Sequence, residues 1–395
     1  MRRSWLCCLA LIVLCGCEGS VDTPTGPAGQ LRLVAVLGPT GLNGNSGDDA
    51  GYEANPGGYA TADKVRSFTF PLDHGSHPAY RSEWWYLTCI LEDQAGREFG
   101  VQFTLFRQAL SPGPPSTGNR WQSNQAFLGH FAVTDVAAGT HQVAERAARG
   151  HPRLAGVVAD PFELWLEDWR IDSMGDQWRL SLGSMGQRSG SMAQQLDLTL
   201  DMSGSIVLQG DSGLSHKGPL QASYYYSMPG IPVSGQLNVN GAVHVVSGSG
   251  WLDREWSTSV LGDGQTGWDW FALQLNDGSE VLVFQLRQRD GTRDPYDQGV
   301  RLMANGERLD LTTDDFSMTP LRYWTGPRGI KWPVAWQIQL LEDTWRVEAA
   351  VDDQLMNTAV VYWEGLVNVY DSSDIRIGQG YLELTGYSRP RGDEG

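Results

Sequence analysis

Apolar and polar positions alternate with a period of two along much of this chain. Phe99, Val101, Phe103 and Leu105 fall on one side of such a run, and Gly100, Gln102, Thr104 and Phe106 on the other. That spacing predicts a strand with one apolar and one mostly polar face. Leu196, Leu198 and Leu200 repeat it, as do Trp336, Ile338 and Leu340, then Trp345, Val347, Ala349 and Val351. Turn pairs separate such segments: Asn240-Gly241, Asp277-Gly278, Asp290-Gly291 and Asn305-Gly306. These dipeptides favour tight hairpins because their residues tolerate positive φ. No long apolar stripe of helical period is present; residues 143–148 alone read as a turn or two of helix. Many strands joined by short turns predict an all-β chain, a sandwich or a barrel.

A longer pattern groups those strands. Trp84-Trp85-Tyr86-Leu87 leads through an acidic turn ending at Gly96 to the alternating run 99–106 and closes on Arg107. Later, Trp268-Asp269-Trp270-Phe271 leads through Asn276-Asp277-Gly278 to the run 281–286 and closes on Arg287, with a connection two residues shorter. This echo predicts two β-domains related by internal duplication, at 61–238 and 239–390, followed by a short tail, 391–395.

The N-terminus carries an address. Arg2 and Arg3 precede an apolar run, 6–14, too short to span a bilayer, so the segment reads as a secretory signal peptide. It ends in Leu14-Cys15-Gly16-Cys17, which resembles a bacterial lipobox. Residues 1–17 are then a lipoprotein signal with Cys17 as the lipidated residue. Two or more acyl chains hold a protein on a membrane where one binds marginally. Residues 18–60, rich in Gly, Pro, Asn, Asp and Ser, read as a flexible tether.

Charge and cysteine content narrow the partners. The net charge of −17 opposes binding to phosphate backbones, which excludes nucleic acid as the expected partner. Of five cysteines only Cys89 would remain beyond Cys17, so no internal disulfide framework is available. Cys89 lies in a strand-like run and reads as a buried small hydrophobe. Sixteen tryptophans and 48 glycines suit a turn-rich β architecture.

Three segments carry a resemblance. Phe70-Pro71-Leu72-Asp73-His74-Gly75-Ser76-His77-Pro78 precedes Glu83-Trp84-Trp85-Tyr86-Leu87-Thr88. Gly250-Trp251-Leu252-Asp253-Arg254-Glu255-Trp256-Ser257 follows, and Tyr362-Trp363-Glu364-Gly365 with the run 380–387 closes the series. In this order the chain resembles the AttH-like family from about residue 66 to 388. That family is related to carotenoid 1,2-hydratases and, more distantly, to lipocalin-like cyclases. The resemblance implies two tandem lipocalin-like (calycin) β-barrels and an apolar ligand.

The chemistry centres on the strand around Asp253. Alternation puts Trp251, Asp253 and Glu255 on one face and Leu252, Arg254 and Trp256 on the other. A carboxyl beside aromatics in an apolar cavity has its pKa raised and can stay protonated at neutral pH. Such an acid can protonate an alkene, aromatic faces can stabilise the cation, and water can quench it without a cofactor. Asp269, between Trp268 and Trp270, has the same setting. The candidate catalytic residues are therefore Asp253, Glu255 and Asp269, and the candidate substrate-binding residues are Trp84, Trp85, Tyr86, Tyr225, Trp256, Trp268 and Trp270. The carotenoid hydratases carry a histidine-rich version of this strand, and Arg254 cannot donate a proton at neutral pH. A structural alternative makes Asp253-Arg254-Glu255 a salt-bridged pair that fastens one barrel to the other.

Other motifs are weaker. His74 and His77, with His130, have a spacing too short and too loop-like for zinc, and hydrogen-bonded loop histidines beside Asp73 are the expectation. No metal site is assigned. Ser257 and Ser259 sit in no nucleophile elbow, and Gly248-Ser249-Gly250 opens no helix, so no nucleotide cofactor is expected. Tyr224-Tyr225-Tyr226 reads either as a pocket wall or as a strand with alternate rings in the core.

Two functions follow. One is a membrane-tethered periplasmic enzyme that hydrates or isomerises an isoprenoid or fatty-acyl lipid by acid catalysis, a hydro-lyase. The other is a non-catalytic carrier of such a ligand beside an ABC-type export system.

Overall fold

The computed structural model describes residues 57–113, 123–185, 192–259, 261–262 and 264–387. Residues 1–17 with Cys17, most of the proposed tether, and the tail lie outside them.

The described strands form two antiparallel sheets. The first contains β1 (Ser82–Asp93), β2 (Glu98–Ala109), β3 (Gln125–Asp135), β4 (Thr140–Arg149), β5 (Ala155–Ala159), β6 (Phe162–Leu166), β7 (Trp169–Met174), β8 (Gln177–Met185), β9 (Met192–Asp201), β10 (Val207–Leu208), β11 (Leu214–His216), β12 (Ala222–Val239) and β13 (Ala242–Ser257). They are ordered β4-β3-β2-β1-β13-β12-β9-β8-β7-β6-β5, with β10 and β11 pairing to β12. The second contains β14 (Gln265–Leu275), β15 (Glu280–Gln288), β16 (Gln298–Leu302), β17 (Arg308–Thr312), β18 (Phe316–Thr325), β19 (Lys331–Leu340), β20 (Asp343–Ala349), β21 (Leu355–Asn357), β22 (Val361–Tyr370) and β23 (Arg376–Leu384). Their order is β17-β16-β15-β14-β23-β22-β20-β19-β18, with β21 on β22.

The two orders trace one path. Each sheet's first strand lies between its second and its last, and the next strand inward carries a short extra pairing strand. The two echo segments are the equivalent hairpins β1–β2 and β14–β15. The first sheet rolls until its edges approach: Arg146 on β4 donates to the Gly183 carbonyl on β8 at 3.2 Å, and Gln194 on β9 donates to Gln142 on β4 at 3.1 Å.

Each sheet encloses its own core. Trp85, Leu87, Cys89, Phe103, Trp169, Tyr226 and Trp256 pack inside the first; Phe271, Trp332, Trp336, Trp345 and Trp363 pack inside the second. A third apolar cluster joins the sheets from outside and includes Tyr86, Tyr225, Trp251, Trp270, Phe284 and Tyr381. Contact there is close enough that a Cβ on Gly100 would lie 2.6 Å from the Tyr381 hydroxyl. The central strands are therefore buried on both faces, one toward a barrel interior and one toward the other sheet.

Three expectations are corrected. The first sheet does not end at residue 238, because Asn240-Gly241 is a hairpin tip within it. Both residues have positive φ (52° and 89°), and β13 returns along β12 from Val239↔Ala242 to Tyr224↔Trp256. The change of sheet falls instead at 258–264. Residues 143–148 lie in β4, their apolar side supported by strand pairing with β3. The folded part also starts before residue 61: the Tyr59 hydroxyl donates to the Ala109 carbonyl at 2.9 Å, and Ala60 N–H donates to the Ala79 carbonyl at 2.9 Å.

Candidate active site

The outer faces of the two equivalent hairpins turn toward each other around a cavity of about 830 Å³, mouth included. Strand register makes its lining two-fold. Trp84 stands opposite Phe106 and Tyr86 opposite Thr104 in the first hairpin. In the second, Trp268 stands opposite Leu286 and Trp270 opposite Phe284. All eight side chains line the cavity, and Tyr86 meets Trp270 edge-on with ring centroids 5.2 Å apart.

The last strand of each sheet supplies an acid in the same register. Asp253 lies beside Tyr86, and Glu383 lies beside Trp270. One strand further in, β12 places Ser227 against Asp253 and Tyr225 against Glu255. The corresponding strand β22 places Glu364 against Glu383, and Tyr362, two positions earlier, takes the place of Tyr225. Asp253, Glu255, Glu364 and Glu383 all line the cavity, with Lys217 as the one lining cation among the described residues.

The four carboxyls are held differently. Asp253 accepts from Ser227 at 2.5 Å, from the Trp251 indole at 2.8 Å and from the Tyr225 hydroxyl, which itself accepts from the Trp270 indole at 3.2 Å. Burial pushes Asp253 up to about 7 against these three donors, which favour the carboxylate. Glu255 accepts from Ser223 and pairs with Lys217 at 3.3 Å; the ammonium also lies 4.3 Å from the Phe284 ring centroid. Glu364 is fully buried, and neither carboxyl oxygen makes a hydrogen bond, although the Tyr86 and Tyr362 hydroxyls are close by. Burial, with Glu383 across the ladder, drives Glu364 well above the carboxylate range. Glu383 is pushed up to about 8 by burial, with Asp253 and Glu255 adding to the rise and the Trp268 indole opposing it. Two facing carboxyls, one fully buried and the other half-buried, do not both ionise readily, so this pair retains a proton at neutral pH. Burial also keeps the Tyr86, Tyr225 and Tyr362 phenols protonated.

Of the residues expected at the site, Asp253, Glu255, Trp84, Tyr86, Tyr225, Trp268 and Trp270 meet at this cavity. Trp85, Trp256 and Asp269 do not. They occupy the intervening positions of their strands and point into the barrels. Trp85 underlies the Arg254 guanidinium at 3.8 Å, and Trp256 stacks on His77 at 3.8 Å. Asp269 is an ion-pair partner: it accepts from Arg287, from Tyr387 at 2.9 Å and from Gln285 at 2.8 Å. Cys17 lies outside the described residues.

The salt-bridge alternative takes another form. Arg254 joins no barrel to its neighbour; it pairs with Glu83 at 3.2 Å and donates to the carbonyls of Gly75 and Trp84 inside the first sheet. Burial alone would raise Glu83, but Arg107, His77 and Arg254 hold it well below the usual range. His77 also bonds Asp73 at 3.1 Å, and His74 bonds the Tyr226 hydroxyl at 2.6 Å. Among the described residues no group of three His, Cys, Asp or Glu side chains is arranged for a metal ion. Cys89 is buried in the first core, where burial pushes its thiol up to about 12.

Glu364, Glu383, Lys217 and Tyr362 were not anticipated as site residues. A signal for two of them existed: Glu383 interrupts the apolar run Tyr381-Leu382-Glu383-Leu384, and Glu364 sits in the closing motif of the family resemblance. Nothing local marks Lys217.

The AttH-like family profile matches residues 61–387. A solved structure described as an AttH from Nitrosomonas europaea is 33% identical, covers 83% of this chain and 100% of its own, and superposes with a TM-score of 0.72. Kievitone hydratase from Nectria haematococca has the same fold at 15% identity, with a TM-score of 0.60 over 82% of this chain and 93% of its own. By sequence, kievitone hydratase of Fusarium solani subsp. phaseoli is 20% identical over 201 residues, 47% of this chain and 54% of the relative. The chain thus spans about half the length of that curated relative. The fold is the expected pair of tandem lipocalin-like β-barrels, and the chain belongs to the AttH-like family.

Proposed function

We propose that this protein is a cofactor-free hydratase-type enzyme, adding water to, or removing it from, a carbon–carbon double bond of an apolar substrate held between the barrels. The observation that carries this reading is the meeting of a proton-retaining carboxyl pair and a separate, hydrogen-bonded carboxylate in one aromatic cavity. Environments that push paired carboxyls apart mark acid and base assignments. The Glu364–Glu383 pair delivers a proton to one alkene carbon. Positive charge on the other carbon faces the rings of Trp84, Trp268 and Trp270. A water adds there and passes its spare proton to Asp253. The net change is one water across the double bond, with a proton moved from the acid pair to Asp253. Likeness to a protein named as a hydratase supports the reaction class.

An isoprenoid suits the aromatic lining best because its branched alkene yields a tertiary cation; a fatty-acyl lipid is the other class. We place the protein on the periplasmic face of a membrane, held by acylated Cys17. The basic n-region, short apolar run and lipobox-like ending support that placement.

Incubation of the purified chain with a panel of isoprenoid alkenes in oxygen-18 water tests the reaction. We expect labelled alcohol from the wild type, and retained binding without turnover in Asp253→Asn and Glu383→Gln. Alkene binding with no label in any product would overturn the hydratase reading in favour of a carrier, for which an adjacent ABC-type exporter is the natural partner. Radiolabelled palmitate should mark the wild type in its host but not Cys17→Ser; equal labelling would sink the anchor.

A further inference from the structure

His130, on β3 of the first sheet, is fully buried, and both its ring nitrogens are engaged. Nδ1 lies 2.8 Å from the hydroxyl of Tyr362, on β22 of the second sheet. Nε2 lies 3.1 Å from Oε2 of Glu145 on β4, whose side chain is 30% exposed. Tyr362 lines the cavity beside Glu364. The remaining neighbours are defined: Phe106 meets the His130 ring edge-on at 5.5 Å, and Gln102, Glu364 and Glu383 surround the Tyr362 hydroxyl. Backbone N–H of Ala359 holds the Glu145 carboxylate in place at 2.8 Å.

A histidine with no surface of its own, bridging a cavity-lining phenol to a solvent-touching carboxylate, is more than a barrel-to-barrel contact. Glu364 itself is fully buried, so a proton returns to it through a neighbouring group, either the half-buried Glu383 or the Tyr362 hydroxyl. We propose that His130 is a proton relay connecting Glu364 to solvent, through Tyr362 on the inside and Glu145 on the outside. A proton enters from Glu145 at Nε2. The Nδ1 proton passes to the Tyr362 oxygen as Tyr362 gives its own proton to the Glu364 carboxylate. The imidazole is left as its Nε2–H tautomer, and one proton has moved from the Glu145 side to Glu364. Burial lowers the His130 pKa, with Glu145 opposing that fall, so the imidazolium is transient, as a relay requires. The relay deepens the hydratase reading and rests on it for its purpose, but its existence needs no substrate.

The test is infrared spectroscopy of the whole protein at neutral pH after transfer to heavy water. Protonated carboxyls give a carbonyl band that Glu364→Gln and Glu383→Gln should remove or weaken. The deuterium shift of that band should slow roughly tenfold or more in His130→Phe, and also in Glu145→Gln, a partly exposed change that spares the core. Exogenous imidazole should restore the rate in His130→Ala, which a purely structural role for the ring would not do. A band that shifts at the wild-type rate in folded His130→Phe and Glu145→Gln would overturn the relay and leave the hydratase reading standing. Absence of any such band from the wild type would overturn both.

Discussion

The two halves of the cavity occupy equivalent positions in duplicated sheets and yet hold their acids in opposite ways. In the first half, Asp253 faces Ser227 across the ladder and collects three hydrogen bonds, from Ser227, Trp251 and Tyr225. In the second, Glu383 faces Glu364, and Tyr362, the counterpart of Tyr225, bonds to His130 instead. One exchange, a serine in one ladder for a glutamate in the other, separates a single hydrogen-bonded carboxyl from a proton-sharing pair. Duplication built an aromatic chamber from two copies of one hairpin; divergence at a few inward positions provided a base on one wall and an acid on the other.

Loss of either wall should have the largest effect, and should do so unequally across pH. Asp253→Asn and Glu383→Gln are each expected to reduce turnover by about a hundredfold or more, the usual scale for a positioned acid or base. In the wild type, turnover should rise as Asp253 ionises near 7 and fall at higher pH as the Glu364–Glu383 pair, held above the carboxylate range by burial, gives up its proton. Residual activity in Asp253→Asn should lose the rising limb, and that in Glu383→Gln the falling one. Rate–pH profiles with a hydrated alkene would check this. A variant that keeps full turnover would remove its wall from the chemistry.

The barrel ends offer a second pair. Each echo hairpin closes on an arginine, and each arginine meets a buried acid: Arg107 with Glu83, and Arg287 with Asp269. Glu83 also serves Arg254 and His77, so its end carries more charge. Breaking a buried pair from one side typically costs about 3–5 kcal/mol. Glu83→Gln is expected toward the upper part of that range and Asp269→Asn toward the lower, measured by urea unfolding. Asp269→Asn should keep wild-type turnover per folded molecule; loss of turnover without loss of stability would return Asp269 to the catalytic set.

Cavity and barrel end should also answer pH in opposite directions. Asp253 has its folded pKa raised to about 7. The stability linked to it is fully present below the unfolded value near 4 and is lost as pH rises through 7. Glu364 and Glu383 act in the same direction. Glu83 is depressed, so its contribution is present above the ordinary glutamate range and lost as pH falls through its folded value. For Asp253 alone the loss, accrued between about pH 4 and 7, is on the order of 4 kcal/mol, at about 1.4 kcal/mol per unit. Melting temperature followed from pH 4 to 9 should fall in the wild type, and the part of that fall between about pH 4 and 7 should flatten in Asp253→Asn. An unchanged slope between about pH 4 and 7 in that variant would show that Asp253 ionises as freely in the folded chain as outside it.

Much of this architecture was legible in the sequence, and the misses have one cause. Period-two alternation located the strands and sorted Trp84 with Tyr86, Trp268 with Trp270, and Asp253 with Glu255. It did not say which set faces the cavity, because the central strands are buried on both sides. Trp85, Trp256 and Asp269 look equally suited from composition and point the other way. The echo in the sequence covers the first hairpin of each repeat and stops short of its last strand, where the register that puts Asp253 beside Tyr86 also puts Glu383 beside Trp270. Strand pairing between distant segments sets that match, and no local pattern displays it. The sheet boundary at 258–264 was hidden for the same reason, since β13 belongs to the first sheet through its pairing with β1.

The smallest and sharpest contrast lies in the two equivalent tyrosines. Tyr225→Phe removes one of three donors to Asp253 and leaves the Trp270 indole without its acceptor. The carboxylate loses support, so the Asp253 midpoint should move upward, by roughly one unit or about 1.4 kcal/mol. Tyr362→Phe takes nothing from Asp253; it strands Nδ1 of His130 and deprives Glu364 of a neighbouring hydroxyl. The Asp253 midpoint should then stay in place while the carbonyl band of the acid pair shifts. Carbon-13 titration of labelled aspartate, run beside infrared spectra of both variants, separates the two walls. If Tyr362→Phe moved the Asp253 midpoint as far as Tyr225→Phe does, the four carboxyls would titrate as one cluster, and the division into acid and base walls would fail.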